Sequence, residues 1–170
     1  MPGLNTVFRA TDMGRIRLFL IVVCLAVATA QADNTSLFDF TLPSLQENGG
    51  VPLEQYRGKV LLMSFFEPDC SWCYRQMKAF NKLLETCHLH LQPIAVGIKG
   101  TPSELRHELR RAKVSYPAFI GSGELLDAVG KVPATPWTLV SDGDGTIITT
   151  LRGYIPLPKL TQAFGGYCAG

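Results

Sequence analysis

The sequence predicts an α/β fold: a mixed central sheet with helices on both faces, preceded by an N-terminal β-hairpin. Three observations lead to it. Val60–Phe66 is a nearly continuous apolar run, as long as a strand covered on both faces. From Ser71 onward Met77, Phe80, Leu83 and Leu84 recur at helical spacing, with Arg75, Lys78 and Lys82 between them. Toward the other end, residues 137–140 and 147–151 are strand-like and joined by the turn Ser141-Asp142-Gly143-Asp144-Gly145.

With 170 residues, 46% of them apolar and 18% charged, the chain has the composition of one compact domain plus an extra segment. The extra segment is at the front. Arg9, Arg15 and Arg17 lead into an apolar stretch at residues 18–28, followed by small residues and then polar Gln31, Asp33 and Asn34, the pattern of a secretory signal. Residues 1–32 are expected to be that signal, cut after Ala30 or Ala32, and residues 33–170 the folded domain. The alternative is a retained membrane anchor, although a spanning helix normally needs ~20 apolar residues. Cys24 is filler within the apolar stretch. Removal of this segment takes Arg9, Arg15, Arg17 and Asp12 away and leaves acidic and basic residues in balance. A domain without net charge has no electrostatic reason to bind nucleic acid. Export to the periplasm leaves Cys70, Cys73, Cys87 and Cys168 in an oxidising compartment, where an even number suggests pairs.

The elements follow in order. Phe38, Phe40 and Leu42 alternate with polar neighbours up to Pro43, and Gly49-Gly50 turns the chain into Val51 and Leu53, giving the hairpin. Tyr56-Arg57-Gly58-Lys59 is a turn into the central strand, which Pro68 ends, so that Cys70 falls at a strand-to-helix junction. Residues 89–98 form a second buried strand. Thr101-Pro102-Ser103-Glu104 starts a helix, with Thr101 as N-cap and Glu104 completing a capping box, and this helix runs to about Lys113. Its Arg106, Arg110, Arg111 and Lys113, opposite Leu105, Leu109 and Ala112, form a solvated face more often than a docking patch. A short helix around Leu125, Leu126 and Val129 stops at Gly130, and a last helix at residues 160–164 ends in Gly165-Gly166.

The chemistry lies in Cys70-Ser71-Trp72-Cys73. At the first turn of a helix, unpaired N–H groups and the helix dipole stabilise an anion, so Cys70 is the expected attacking thiolate. Cys73, one turn along the same face, resolves the mixed disulfide. A static disulfide closing so small a loop gains little. Zinc would enlist Cys87 or His88, without a second short-spaced pair to support it, and haem attachment fails because Tyr74 stands where a His is required. No metal or other cofactor is expected. Pro136, in Ala134-Thr135-Pro136-Trp137, stands at the mouth of a strand, where a cis bond is predicted.

The chain resembles the TlpA-type thioredoxin-like proteins, the exported branch that includes the cytochrome c maturation thioredoxins. The resemblance rests on Phe38-Asp39-Phe40-Thr41-Leu42-Pro43, Arg57-Gly58-Lys59-Val60-Leu61-Leu62, the cysteine motif, Val132-Pro133-Ala134-Thr135-Pro136 and Leu139-Val140-Ser141-Asp142-Gly143-Asp144-Gly145, and covers nearly all of residues 36–164. It implies a thioredoxin fold, thiol-disulfide exchange with client proteins, a membrane electron donor, a cis Pro136 packed on the cysteine loop, and a Thr135 that offers its main chain to bound peptide. Trp72 stands where these proteins usually carry proline; it is expected either to cover the pair or to meet the client. Gln76 replaces a common glutamate, and the approach Glu67-Pro68-Asp69 replaces aromatic and small residues. Glu67 is therefore the candidate proton acceptor. Carboxylates beside a thiolate raise its pKa and favour a reductant over a strong oxidant. In a thioredoxin-like layout the ends of the active-site helix and the last helix meet, which predicts a structural disulfide between Cys87 and Cys168. Other outcomes of this fold are a metal- or haem-handling module, or a thiol peroxidase, whose usual Thr three residues ahead of the cysteine is here Glu67.

Overall fold

The computed structural model describes residues 35–168; the expected signal segment and Cys24 lie outside the described residues. Near the start of the described chain β1 (Thr41–Pro43) and β2 (Gly50–Pro52) pair antiparallel as a hairpin. The main sheet takes β3 (Val60–Phe66), β4 (Leu91–Gly97), β5 (Ala118–Ile120), β6 (Trp137–Ser141) and β7 (Ile147–Arg152) in the spatial order β5-β4-β3-β6-β7. Among the described residues four α-helices accompany it: α1 (Ser71–Cys87), α2 (Pro102–Ala112), α3 (Gly123–Val129) and α4 (Leu157–Phe164).

The apolar run of β3 is central because it is hydrogen-bonded on both sides, parallel to β4 and antiparallel to β6. Its side chains alternate between two cores. Val60, Leu62 and Phe66 pack with Met77, Phe80 and Leu83 of α1, Leu105 and Leu109 of α2, and Leu160 and Phe164 of α4. Leu61, Met63 and Phe65 face Leu125 of α3 and Leu37, Phe38, Leu42 and Leu53 of the N-terminal segment. Helices thus cover both faces, as expected. The capping box of α2 is present: Thr101 Oγ1 accepts from Glu104 N, and Glu104 Oε2 accepts from Thr101 N at 2.7 Å.

The structure departs from expectation at four elements. Phe38 and Leu53, read as hairpin strand positions, lie in 3-10 turns at Leu37–Asp39 and Leu53–Tyr56, so the paired strands are only three residues each. β5 is not legible in the sequence, since it has only three residues, between Pro117 and Gly121. β4 begins at Leu91 rather than at residue 89, and Leu89 is exposed. Pro93 is tolerated inside β4 because it lies beyond the stretch that pairs with β5, so its missing N–H leaves no rung open. Helix α4 starts three residues earlier than read, at Leu157, with Pro158 in the first turn, where a proline costs no hydrogen bond.

The far end of α1 is bonded to the chain after α4 through Cys87–Cys168, a pair 81 residues apart. Closing a loop of that size restricts the unfolded chain by roughly 4 kcal/mol in the chain-entropy model. Replacing both residues by alanine should lower the unfolding free energy by about that much in non-reducing denaturant titrations. A loss under about 1 kcal/mol would show that the bond does not carry the tertiary link.

Candidate functional site

β3 and β4 are parallel and end at the same edge of the sheet, the edge where open α/β folds place their sites. Beyond β3 the chain passes Pro68 and Asp69, whose φ of 57° is a left-handed conformation that aspartate tolerates better than most residues. Cys70 is then the N-cap of α1, and its sulfur accepts the N–H of Cys73 at 3.1 Å. No acidic residue occupies the first turn of this 17-residue helix, so nothing there offsets its positive end. Cys70 and Cys73 are bonded to each other. Their surroundings differ: Cys70 is half-buried at the edge of the cluster, whereas Cys73 is buried. The reachable sulfur is thus the one at the helix N-terminus.

Across the pair stands the loop before β6. The Thr135–Pro136 peptide bond is cis, and both the carbonyl oxygen and the hydroxyl of Thr135 lie 3.8 Å from Cys70 Sγ. Gly153 N, just after β7, donates to the Pro136 carbonyl at 2.9 Å and ties the loop to the sheet. Trp137 anchors it beneath by stacking on Phe65, with ring centroids 5.7 Å apart.

Glu67 lies beside this loop, but it is already engaged. Its carboxylate pairs with Lys99 Nζ at 2.5 Å and accepts the Thr135 hydroxyl at 2.8 Å. The Lys99 ammonium, helped by Thr135 and opposed by partial burial, holds the Glu67 carboxyl below the usual range. A carboxylate held this way is a weaker base than an unpaired one, and the Lys99 ammonium sets a positive charge against it. Asp69 remains exposed to solvent. Gln76, buried one turn beyond Cys73, accepts the N–H of Ile155 at 2.7 Å and so holds the chain after β7.

Trp72 does not close over the cysteines. It is 52% exposed, stacked on Tyr154 at 6.0 Å, with the Arg75 guanidinium 4.6 Å from its ring centre. Trp72, Tyr154, Gly153, Thr135 and Pro136 line an open hollow of about 270 Å³ beside Cys70. The structure therefore brings together Cys70, Cys73, Glu67, Trp72, Thr135 and Pro136, and places Cys87 and Cys168 at the opposite end of α1. Lys99 and Tyr154 were missed from the sequence. Lys99 was accessible in principle: it follows β4 as Pro68 follows β3, and parallel neighbours in register end together. Tyr154 carried no such signal. Among the described residues no three His, Cys, Asp or Glu side chains gather as metal ligands.

Residues 34–156 match the AhpC/TSA family. The thiol-disulfide oxidoreductases ResA of Bacillus thuringiensis subsp. konkukian and Bacillus cereus are each 23% identical over 109 residues, 63% of this chain; the match spans 62% of the length of those relatives. A thioredoxin family protein from Chlorobium tepidum superposes with a TM-score of 0.70 at 15% identity, covering 82% of this chain and all of that one. A secreted Mycobacterium tuberculosis disulfide oxidoreductase homologous to E. coli DsbE superposes with a TM-score of 0.65 at 14% identity, covering 76% and 96% respectively. The likeness shows the thioredoxin fold.

The asymmetry of the pair predicts unequal labelling. After reduction of the native protein, brief alkylation at neutral pH should mark Cys70 ahead of Cys73 by at least about tenfold in peptide mass spectra. Equal labelling would contradict the burial difference.

Proposed function

The chain belongs to the AhpC/TSA family, and from that premise we propose that it is an exported thiol-disulfide oxidoreductase that reduces disulfides in client proteins. The observation that carries this reading is a half-exposed sulfur capping a helix N-terminus, bonded to a buried sulfur one turn on and faced by the Thr135 main chain.

In the reduced pair Cys70 is the thiolate and Cys73 the thiol. The Cys70 thiolate attacks one sulfur of a client disulfide; that S–S bond breaks, and the second client sulfur leaves as a thiolate. Cys73 then gives up its proton and attacks Cys70 Sγ, which closes the Cys70–Cys73 bond and expels the first client sulfur. The client gains two electrons and two protons, one from Cys73 and one from solvent. The chain is left oxidised and returns through a dithiol donor, for which a membrane protein is our candidate.

The client meets the hollow beside Cys70. Thr135 offers its carbonyl to an extended segment of the client, and Trp72 on Tyr154 gives an apolar ledge for a side chain flanking the client cysteine. The reductive direction is favoured by Asp69, whose exposed carboxylate directly precedes the sulfur and opposes the helix dipole, while Lys99 offsets Glu67. Export is favoured by the basic-then-apolar front of the sequence, together with the pairing of all four cysteines of the described domain. No helix among the described residues is long and apolar enough to cross a membrane.

Cys73→Ser should accumulate mixed disulfides on Cys70 in periplasmic extracts, whereas Cys70→Ser should form none. Equilibration with glutathione mixtures should give a potential well below the about −120 mV of a strong oxidant. A value near that figure would reverse the proposed direction, and absence of trapped clients would remove the activity.

A further inference from the structure

The Thr135 hydroxyl has one proton and two acceptors: Glu67 Oε1 at 2.8 Å and Cys70 Sγ at 3.8 Å. With Cys70 in a disulfide, the carboxylate is the better acceptor and holds the proton. When Cys70 becomes a thiolate the competition changes, because an anionic sulfur accepts far better than a bonded one. Which of the two anions receives the proton depends on how completely Glu67 is satisfied by its other partner, Lys99, which reaches across from the end of β4 to pair with it.

Resting on the exchange chemistry proposed above, we propose that Lys99 is a positioning residue for Cys70: by clamping Glu67 it frees the Thr135 hydroxyl to turn to the sulfur and removes an unbalanced negative charge from beside it. Both effects have the same sign. With Lys99 in place the thiolate gains a donor and loses a repulsion. Without it, Glu67 keeps the hydroxyl and faces the sulfur bare. Lys99 does not touch Cys70 and acts only through Glu67 and Thr135.

Few other charges bear on the site. Asp69 stands in the turn ahead of Cys70, Arg75 on α1 lies over the Trp72 ring, Lys131 is on the segment leading to Thr135, Arg152 ends β7, and Glu104 of α2 is held by Thr101. Among the described residues none of these shares an ion pair or hydrogen bond with Glu67, Thr135 or Cys70. The Lys99 side chain is 69% exposed, so its removal takes nothing from the core.

The test is the pH profile of Cys70 alkylation by a small uncharged reagent in the reduced full-length protein, which reads the sulfur without a client. Lys99→Met should move the Cys70 ionisation up by about half a pH unit or more. Lys99→Arg should restore the parent profile. Glu67→Gln should move it down, and the double variant Lys99→Met with Glu67→Gln should return it close to the parent. In a Thr135→Val background the shift caused by Lys99→Met should shrink, since the hydroxyl route is gone. A Lys99→Met profile that superimposes on the parent, or an undiminished shift in the Thr135→Val background, overturns the inference while leaving the exchange chemistry standing. A parent Cys70 that never ionises below the range of an ordinary cysteine takes both down.

Discussion

The site depends on one electrostatic constraint: a sulfur is held where the unpaired N–H groups of α1 point outward. The chain can deliver it there only because β3 is buried on both faces and paired on both edges, which fixes the end of the strand and with it the start of the helix. The tight turn at Pro68 and Asp69 converts that fixed end into an N-cap. Every other functional group is placed relative to this point. β4 runs parallel and is followed there by Lys99, and β6 runs antiparallel and is preceded there by Thr135 and Pro136. One edge of one sheet thus gathers groups from residues 67 to 154.

The polar environment so gathered has opposing parts. In the proposed reading the helix N-terminus stabilises negative charge on Cys70, Glu67 works against it, and Lys99 opposes Glu67. This balance explains how a carboxylate three residues before the sulfur is compatible with a reactive thiolate. The two cysteines also differ in their surroundings: Cys70 is half-buried at the helix N-terminus, while Cys73 lies buried against the core.

Much of this was legible in the sequence because the strongest signals are local. The apolar run of β3, the helical spacing after Ser71, the capping box at Thr101 and the proline before Trp137 each have a physical cause confined to a few residues, and each appears where expected. The hairpin was legible only in part, since Phe38 and Leu53 leave its strands for 3-10 turns, and the Cys87–Cys168 pair followed from the family layout. What stayed hidden depends on register and tertiary packing. β5 is three residues long and carries no periodicity. Lys99 matters only because two parallel strands end level with one another. Tyr154 becomes part of the site because Gly153 is bonded to the Pro136 carbonyl and because Gln76 captures the N–H of Ile155. Glu67 was visible, but its partner Lys99 was not, so the pair that holds its carboxyl below the usual range could not be read from the sequence.

The proposed chemistry turns on the ionisation of one sulfur. In the fully reduced protein, a pH titration of the Cys70 Cβ carbon chemical shift measures it directly and separates it from Cys73. Cys70 should titrate with a midpoint clearly below the ordinary cysteine value of about 8.5, and Cys73 above it. A Cys70 midpoint at or above that value would contradict the proposed chemistry, since the helix terminus would then be holding no anion.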